Sequence, residues 1–204
     1  ISASREAIRE YDALITTRPD VPIYRENQTA ALTDLAQALY RQGRTNEAFN
    51  AADAALVSAV SLSQGFPHVD RYFISEVYAR MTVAQILRDN ENTDEAAEEM
   101  HLAIDMCSGL IESAPQDALY LRLRGVCLSN LGVVGLLTDQ VEQARQLFEQ
   151  ARDDFEASLE LAPDVQLTRA GMAWALSYLG DTLTRLNRTE DATVEYRAAI
   201  ALRG

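Results

Sequence analysis

The chain of 204 residues carries 18 basic and 31 acidic side chains, a net charge of −13, and every basic residue is an arginine. With 48% apolar and 24% charged residues it has the balance of a folded soluble protein. That balance argues against collagen, a disulfide scaffold and a membrane span, and the charge argues against nucleic acid and anionic membrane as partners.

Residues 1–17 read as one helix, with Ser4 and Ala7 standing 48 positions before Ala52 and Ala55. The same period then runs through the chain. Pro19, Pro67, Pro115 and Pro163 are 48 apart, followed five residues later by Tyr24, Tyr72, Tyr120 and, as the exception, Thr168. Each repeat reads as two helices. In the first repeat Ala31, Leu32, Leu35, Ala38 and Leu39 keep the spacing of one helical face. Gly43 suits a helix C-terminus, and Thr45 reads as an N-cap with Glu47 in the first turn behind it. The spacing predicts first helices near 20–41, 68–89, 116–138 and 164–186, and second helices near 45–64, 93–113, 141–161 and 189–203. The domain reading is a single array over 1–204: a second helix of a truncated preceding repeat at 1–18, then repeats at 19–66, 67–114, 115–162 and 163–204. The chain opens on Ile1 in mid-element, so it reads as a segment excised from a longer protein.

Four blocks carry a family resemblance. Leu35-Ala36, Val83-Ala84, Leu131-Gly132 and Leu179-Gly180 are followed by Ala48, Ala96, Ala144 and Ala192, then by Ala52, Met100, Phe148 and Tyr196, and then by Ala55, Ala103, Ala151 and Ala199. This resembles the tetratricopeptide (TPR) pattern, whose period is about 34 residues. The opening Trp of that pattern is replaced by Leu32, Arg80, Leu128 and Leu176, and its Tyr by Leu39, Leu87, Gly135 and Leu183. The resemblance implies an all-α fold, a right-handed superhelical TPR-like solenoid of antiparallel helix pairs, each helix about two turns longer than usual. The junction Arg18-Pro-Asp-Val-Pro-Ile-Tyr-Arg25 is similar to the long-period TPR arrays of bacterial, notably planctomycete, serine/threonine protein kinases.

Chemistry is hard to find. Without lysine there is no P-loop, and neither a kinase Gly-rich loop nor G-x-S-x-G occurs. His101 and Cys107 lie six apart on a predicted helix and face different ways, so no metal site is expected. Asp89, Glu91, Asp94, Glu95, Glu98 and Glu99 form a carboxylate run. It reads either as a cation or basic-partner patch or, as preferred, as a solvated turn. Cys107 and Cys127 read as free buried thiols of a reducing, cytoplasmic compartment.

The expected function is therefore a non-catalytic protein–protein interaction module with no cofactor, binding a peptide, helix or domain through its concave face. The alternatives are a regulatory or docking region of a serine/threonine kinase and an oligomerisation device. The resemblance places first helices on the concave face. Counting from the small residue gives Ala30, Thr33, Gln37, Tyr40 and Arg41 in the first repeat, and Tyr78, Met81, Gln85, Arg88 and Asp89 in the second. The third contributes Val126, Ser129, Val133, Leu136 and Leu137, and the fourth Trp174, Ser177, Asp181, Thr184 and Arg185. The apolar third repeat around Gly135 has two readings, a pocket for a partner's side chain or packed core, the latter preferred.

Overall fold

The computed structural model describes residues 1–203. Among them the secondary structure is entirely helical: α1 (Ser2–Thr17), α2 (Pro22–Arg41), α3 (Thr45–Gly65), α4 (Asp70–Asp89), α5 (Thr93–Ser113), α6 (Ala118–Leu137), α7 (Val141–Leu161), α8 (Gln166–Arg185) and α9 (Thr189–Arg203). First helices α2, α4, α6 and α8 start 48 residues apart, as do second helices α3, α5, α7 and α9.

The first helices begin two residues later than the spacing predicts, and the prolines are the reason. Each sits second in a β-turn. The Val21 N–H donates to the Arg18 carbonyl at 3.3 Å, Val69 to Phe66 at 3.1 Å, Asp117 to Ala114 at 3.1 Å and Val165 to Ala162 at 3.5 Å. The fixed φ of proline suits that position, and its missing N–H is not needed there.

Between the two helices of each repeat the chain closes a second recurring turn. Gly43, Glu91, Asp139 and Asn187 all have φ between 60° and 72°. The next residue's N–H returns to a carbonyl in the last helical turn: Arg44 to Leu39, Asn92 to Leu87, Gln140 to Gly135 and Arg188 to Leu183. These are Schellman turns. They correct the capping expectation. Thr45, Thr93 and Thr189 are the first residues of their helices, and the residue before Thr45 is Arg44, which makes no side-chain cap. Its guanidinium binds Glu47 instead, at 2.6 Å. With the Arg44 N–H drawn back to Leu39, the helix restarts at once. A left-handed conformation costs a side chain such as Glu91 about 1 kcal/mol that glycine avoids. Glu91→Gly is therefore expected to raise stability by about 0.5–1 kcal/mol, read as a higher urea midpoint at unchanged slope.

The chain packs as two compact units, Ile1–Glu95 and the remainder from Ala96, so the division falls inside the second repeat rather than at a repeat boundary. In the first unit α1 through α4 pack in succession, and α2 also meets α4. Leu32, Ala55, Ala59 and Ala79 form its core cluster, with Ile8 of α1 and Leu56 against it. Glu76 is buried and bound to Arg80 at 2.6 Å and to the Ser63 hydroxyl.

In the second unit α6, α7, α8 and α9 pack in succession, and α6 also meets α8. One cluster joins Val133, Ala144, Phe148, Leu179, Leu183 and Ala192; another joins Leu128, Ala151, Phe155 and Ala175. By length and composition α6 could cross a membrane. Its place between α7 and α8 accounts for that apolar character.

The family-pattern residues are the helix–helix contacts. The six pattern alanines of this unit, Ala96, Ala103, Ala144, Ala151, Ala192 and Ala199, are at most 2% exposed. Within the pattern, glycine stands opposite a ring twice. A Cβ on Gly132 would lie 2.8 Å from the Phe148 ring, and one on Gly180 would lie 2.6 Å from Tyr196. In the first two repeats the same small-residue slots hold Ala36 and Ala84, and the aromatic slots hold Ala52 and Met100. The slots thus covary in size. Gly132→Ala is expected to lose about 1–2 kcal/mol, overpacking outweighing the better helix propensity. Adding Phe148→Met recreates the residue pair of the second repeat and should recover most of the loss. A double-mutant cycle by thermal unfolding measures that coupling.

Candidate functional site

A helix presents to solvent whatever its neighbours leave uncovered. On α2 that stripe is Ile23, Asn27, Ala30, Asp34, Gln37 and Arg41, all exposed at the 3–4–3–4 spacing of one face. Ala30, Gln37 and Arg41 were expected; Ile23, Asn27 and Asp34 were not, although the same spacing run backwards from Gln37 would have found them. Thr33 and Tyr40 are half-buried. Thr33 donates to the Thr29 carbonyl at 2.9 Å, and the Tyr40 hydroxyl donates to the Asp89 carboxylate on α4. Partial burial holds the Asp89 carboxyl above its usual range. On α4 Tyr78 and Gln85 are exposed, Met81 is half-buried, and Arg88 lies at 2.8 Å from Asp89.

In the second unit the counting rule fails at two positions. Ser129 and Val133 are buried: Ser129 donates to the Gly125 carbonyl, and Val133 belongs to the cluster with Phe148, Leu179 and Leu183. Val133 faces α8, which packs across α6, so it is not available to a partner. Leu136 packs partly on the same cluster, while Leu137 is 60% exposed. At Gly135, where the sequence left a pocket or packed core open and favoured the core, α7 packs close: a Cβ there would lie 3.4 Å from that of Ala144. On α8 Ser177 is bound by the Arg203 guanidinium at 3.0 Å, and Asp181 accepts from the Tyr196 hydroxyl at 2.6 Å. Both therefore serve the α8–α9 contact. Arg185 donates to the Leu136 carbonyl at 3.3 Å, and Thr184 is exposed.

A cavity does exist in this unit, about two turns before Gly135. Val126, Ser129 and Asn130 of α6 and Gly171 and Trp174 of α8 surround a socket of about 230 Å³ whose floor is Phe155. Two glycines seat that floor: a Cβ on Gly125 or on Gly171 would each lie 3.1 Å from the Phe155 ring. Gly171 thus admits the ring from below and leaves the socket open from above. Trp174, the single tryptophan, is half-buried and packs on Tyr178 with ring centroids 4.5 Å apart. Tyr178 in turn stacks on Phe148 at 5.7 Å. The socket wall is therefore rigid and mostly apolar, the form of a site that receives one large side chain.

His101 is exposed while Cys107, on the same helix, is buried, so the two share no site. Among the described residues no cluster of three or more metal-ligating side chains occurs. Cys107 and Cys127 are free and buried, and contact with Cys107 together with burial pushes the Cys127 thiol well up, which keeps it inert. Tyr72 and Tyr120 are buried repeat-packing residues.

The comparisons agree with this architecture. A tetratricopeptide-repeat family model matches residues 29–62, the second half of α2 and most of α3. No curated protein matches the chain. Among solved structures, BtubC (BKLC) from P. vanneervenii superposes with a TM-score of 0.55 at 16% identity, over 99% of this chain and 89% of that one. A kinesin light chain of nearly identical TPR-like repeats from Podosopora anserina gives 0.58 at 15% identity, over 98% and 87%. A MamA RS-1 double mutant gives 0.52 at 15% identity, over 99% and 86%. The chain is a TPR-like helical repeat array; at these identities the likeness speaks for the fold.

Proposed function

We propose that the chain is a non-catalytic protein-interaction module that receives a partner segment on its first helices. The observation that carries this reading is the preformed socket between α6 and α8, walled by Val126 and Trp174 over Phe155. It adjoins a half-exposed aromatic pair that packing already orders, so little side-chain freedom is lost on binding. The TPR-like fold supports it, since stacked helical repeats present extended binding surfaces.

Photo-crosslinking in extract of the source cell tests the reading. Benzoylphenylalanine at Tyr178 or Gln37, on first helices, should give a discrete adduct that unlabelled chain competes away. The same label at the exposed Glu156 of α7 should not. Equal labelling from both helix classes, or adducts from α7 alone, would remove the first-helix assignment.

The junction 18–25 supports a finer setting, the docking region of a serine/threonine kinase that holds substrate near the active site. Deleting the array from such a parent should raise KM for a protein substrate and spare a short peptide; equal effects on both would reject docking.

A further inference from the structure

The net charge of −13 is not spread evenly over the fold. Second helices hold it: α5 carries six carboxylates and no arginine, and α7 six carboxylates against two arginines. First helices do not. On α6 stand Arg122 and Arg124 with no acidic residue, and on α8 Arg169 and Arg185 with Asp181 alone. Arg124 is taken up by Asp154 of α7, at 2.6 Å. Asp181 accepts from the Tyr196 hydroxyl and keeps its charge, one turn before Arg185. Arg122 is half-buried, makes no ion pair among the described residues, and lies one helical turn before Val126 on the same face. Arg185 stands at the other end, where α8 reaches the Leu136 carbonyl. The α6–α8 groove is thus an apolar socket with an arginine toward each end, inside a protein whose whole charge has the opposite sign.

We propose that this groove takes an acidic segment of a partner protein, anchored by one large apolar side chain in the socket over Phe155. The proposal rests on the interaction reading above and adds the partner's chemistry. Local charge prevails over net charge because screening at physiological salt acts within about 8 Å, so a bound segment feels Arg122 more than the outer carboxylates. Desolvation beside the apolar wall strengthens that attraction. The socket volume suits one leucine, methionine or phenylalanine side chain rather than a continuous apolar strip.

The experiment is a selection of displayed random twelve-residue peptides on the intact chain at 0.15 M salt. Synthetic copies of the enriched sequences are then titrated, with Trp174 emission as the signal. Since Trp174 lines the socket and is the single tryptophan, an anchored side chain must change its emission. The expected consensus is one large apolar residue among aspartates and glutamates. Arg122→Glu, a change at a half-buried surface position, should weaken binding at least tenfold while helix content is unchanged. Gly171→Leu should block the socket, and its fold is checked by circular dichroism because Phe155 lies beneath it. A basic consensus, an affinity indifferent to Arg122→Glu, an unchanged Trp174 emission, or no enrichment would each overturn the proposal. Crosslinks from Tyr178 surviving such a result would leave the interaction module standing with a partner of different chemistry.

Discussion

Phe155→Ala should be the most damaging single truncation in the second unit, with a loss of about 3–5 kcal/mol. The ring is fully buried and lies among Leu128, Ala151 and Ala175, between the two glycines that approach it from α6 and α8. Those glycines leave no side chain to collapse into the space, so a cavity remains and its cost adds to the lost transfer energy. For a chain of this length the loss corresponds to a fall in Tm of roughly 6–20 °C, at about 2–4 °C per kcal/mol. The same variant removes the floor of the socket and deepens it. A loss under 1 kcal/mol would mean that α6 and α8 close over the gap, and that the two glycines do not hold the ring in the way described.

Arg124→Met should cost about 2–3 kcal/mol for a different reason. Arg124 binds Asp154 through two bonds of 2.6 and 2.8 Å, and the Asp154 side chain is only 8% exposed. Methionine keeps the packing of the stem and leaves the carboxylate buried without its partner, which is the costly half of any buried ion pair. Arg124 itself retains 28% exposure, so the effect falls below that of a fully enclosed pair. Replacing both, Arg124→Met with Asp154→Leu, should return most of the stability, because two apolar groups of similar shape need no compensation. Urea unfolding of the two single variants and the double variant gives the coupling directly. Additive losses would show that the pair is held by its surroundings and contributes little by pairing.

The two experiments bear on the proposed site as well as on stability. Phe155 forms the socket floor, while Arg124 is the α6 arginine that Asp154 withdraws from the groove. In the double variant the groove keeps Arg122, so acidic peptides should still bind. Separate responses of stability and binding would distinguish the arginine that builds the fold from the one that faces a partner.

The repeat and nearly every helix are legible in the chain's residues. Prolines, glycine and alanines at a spacing of 48 mark turns and close packing, and both are local or pairwise requirements that a residue type states openly. Even the late starts of the first helices were latent in Arg18-Pro and its three equivalents, since proline at the second position of a turn is a local preference. The left-handed residues were harder, because Glu91, Asp139 and Asn187 hold a conformation that only Gly43 announces by its type.

Tertiary structure alone decided which face of each first helix is free. Ser129 and Val133 share the register of the half-buried Thr33 and the exposed Gln37, yet both are buried. A helix pattern gives the phase of the apolar face, whereas exposure depends on what packs across it: α4 lies on α2 and leaves Gln37 exposed, while α8 covers Val133 with Leu179 and Leu183. The socket was equally hidden: Gly171 gave no signal in its own helix, and its meaning comes from Phe155, sixteen positions earlier on another helix. The partition of charge between first and second helices was written in the sequence. It acquired physical meaning only when packing set the arginines of α6 and α8 along one groove and the carboxylates of α7 on another helix.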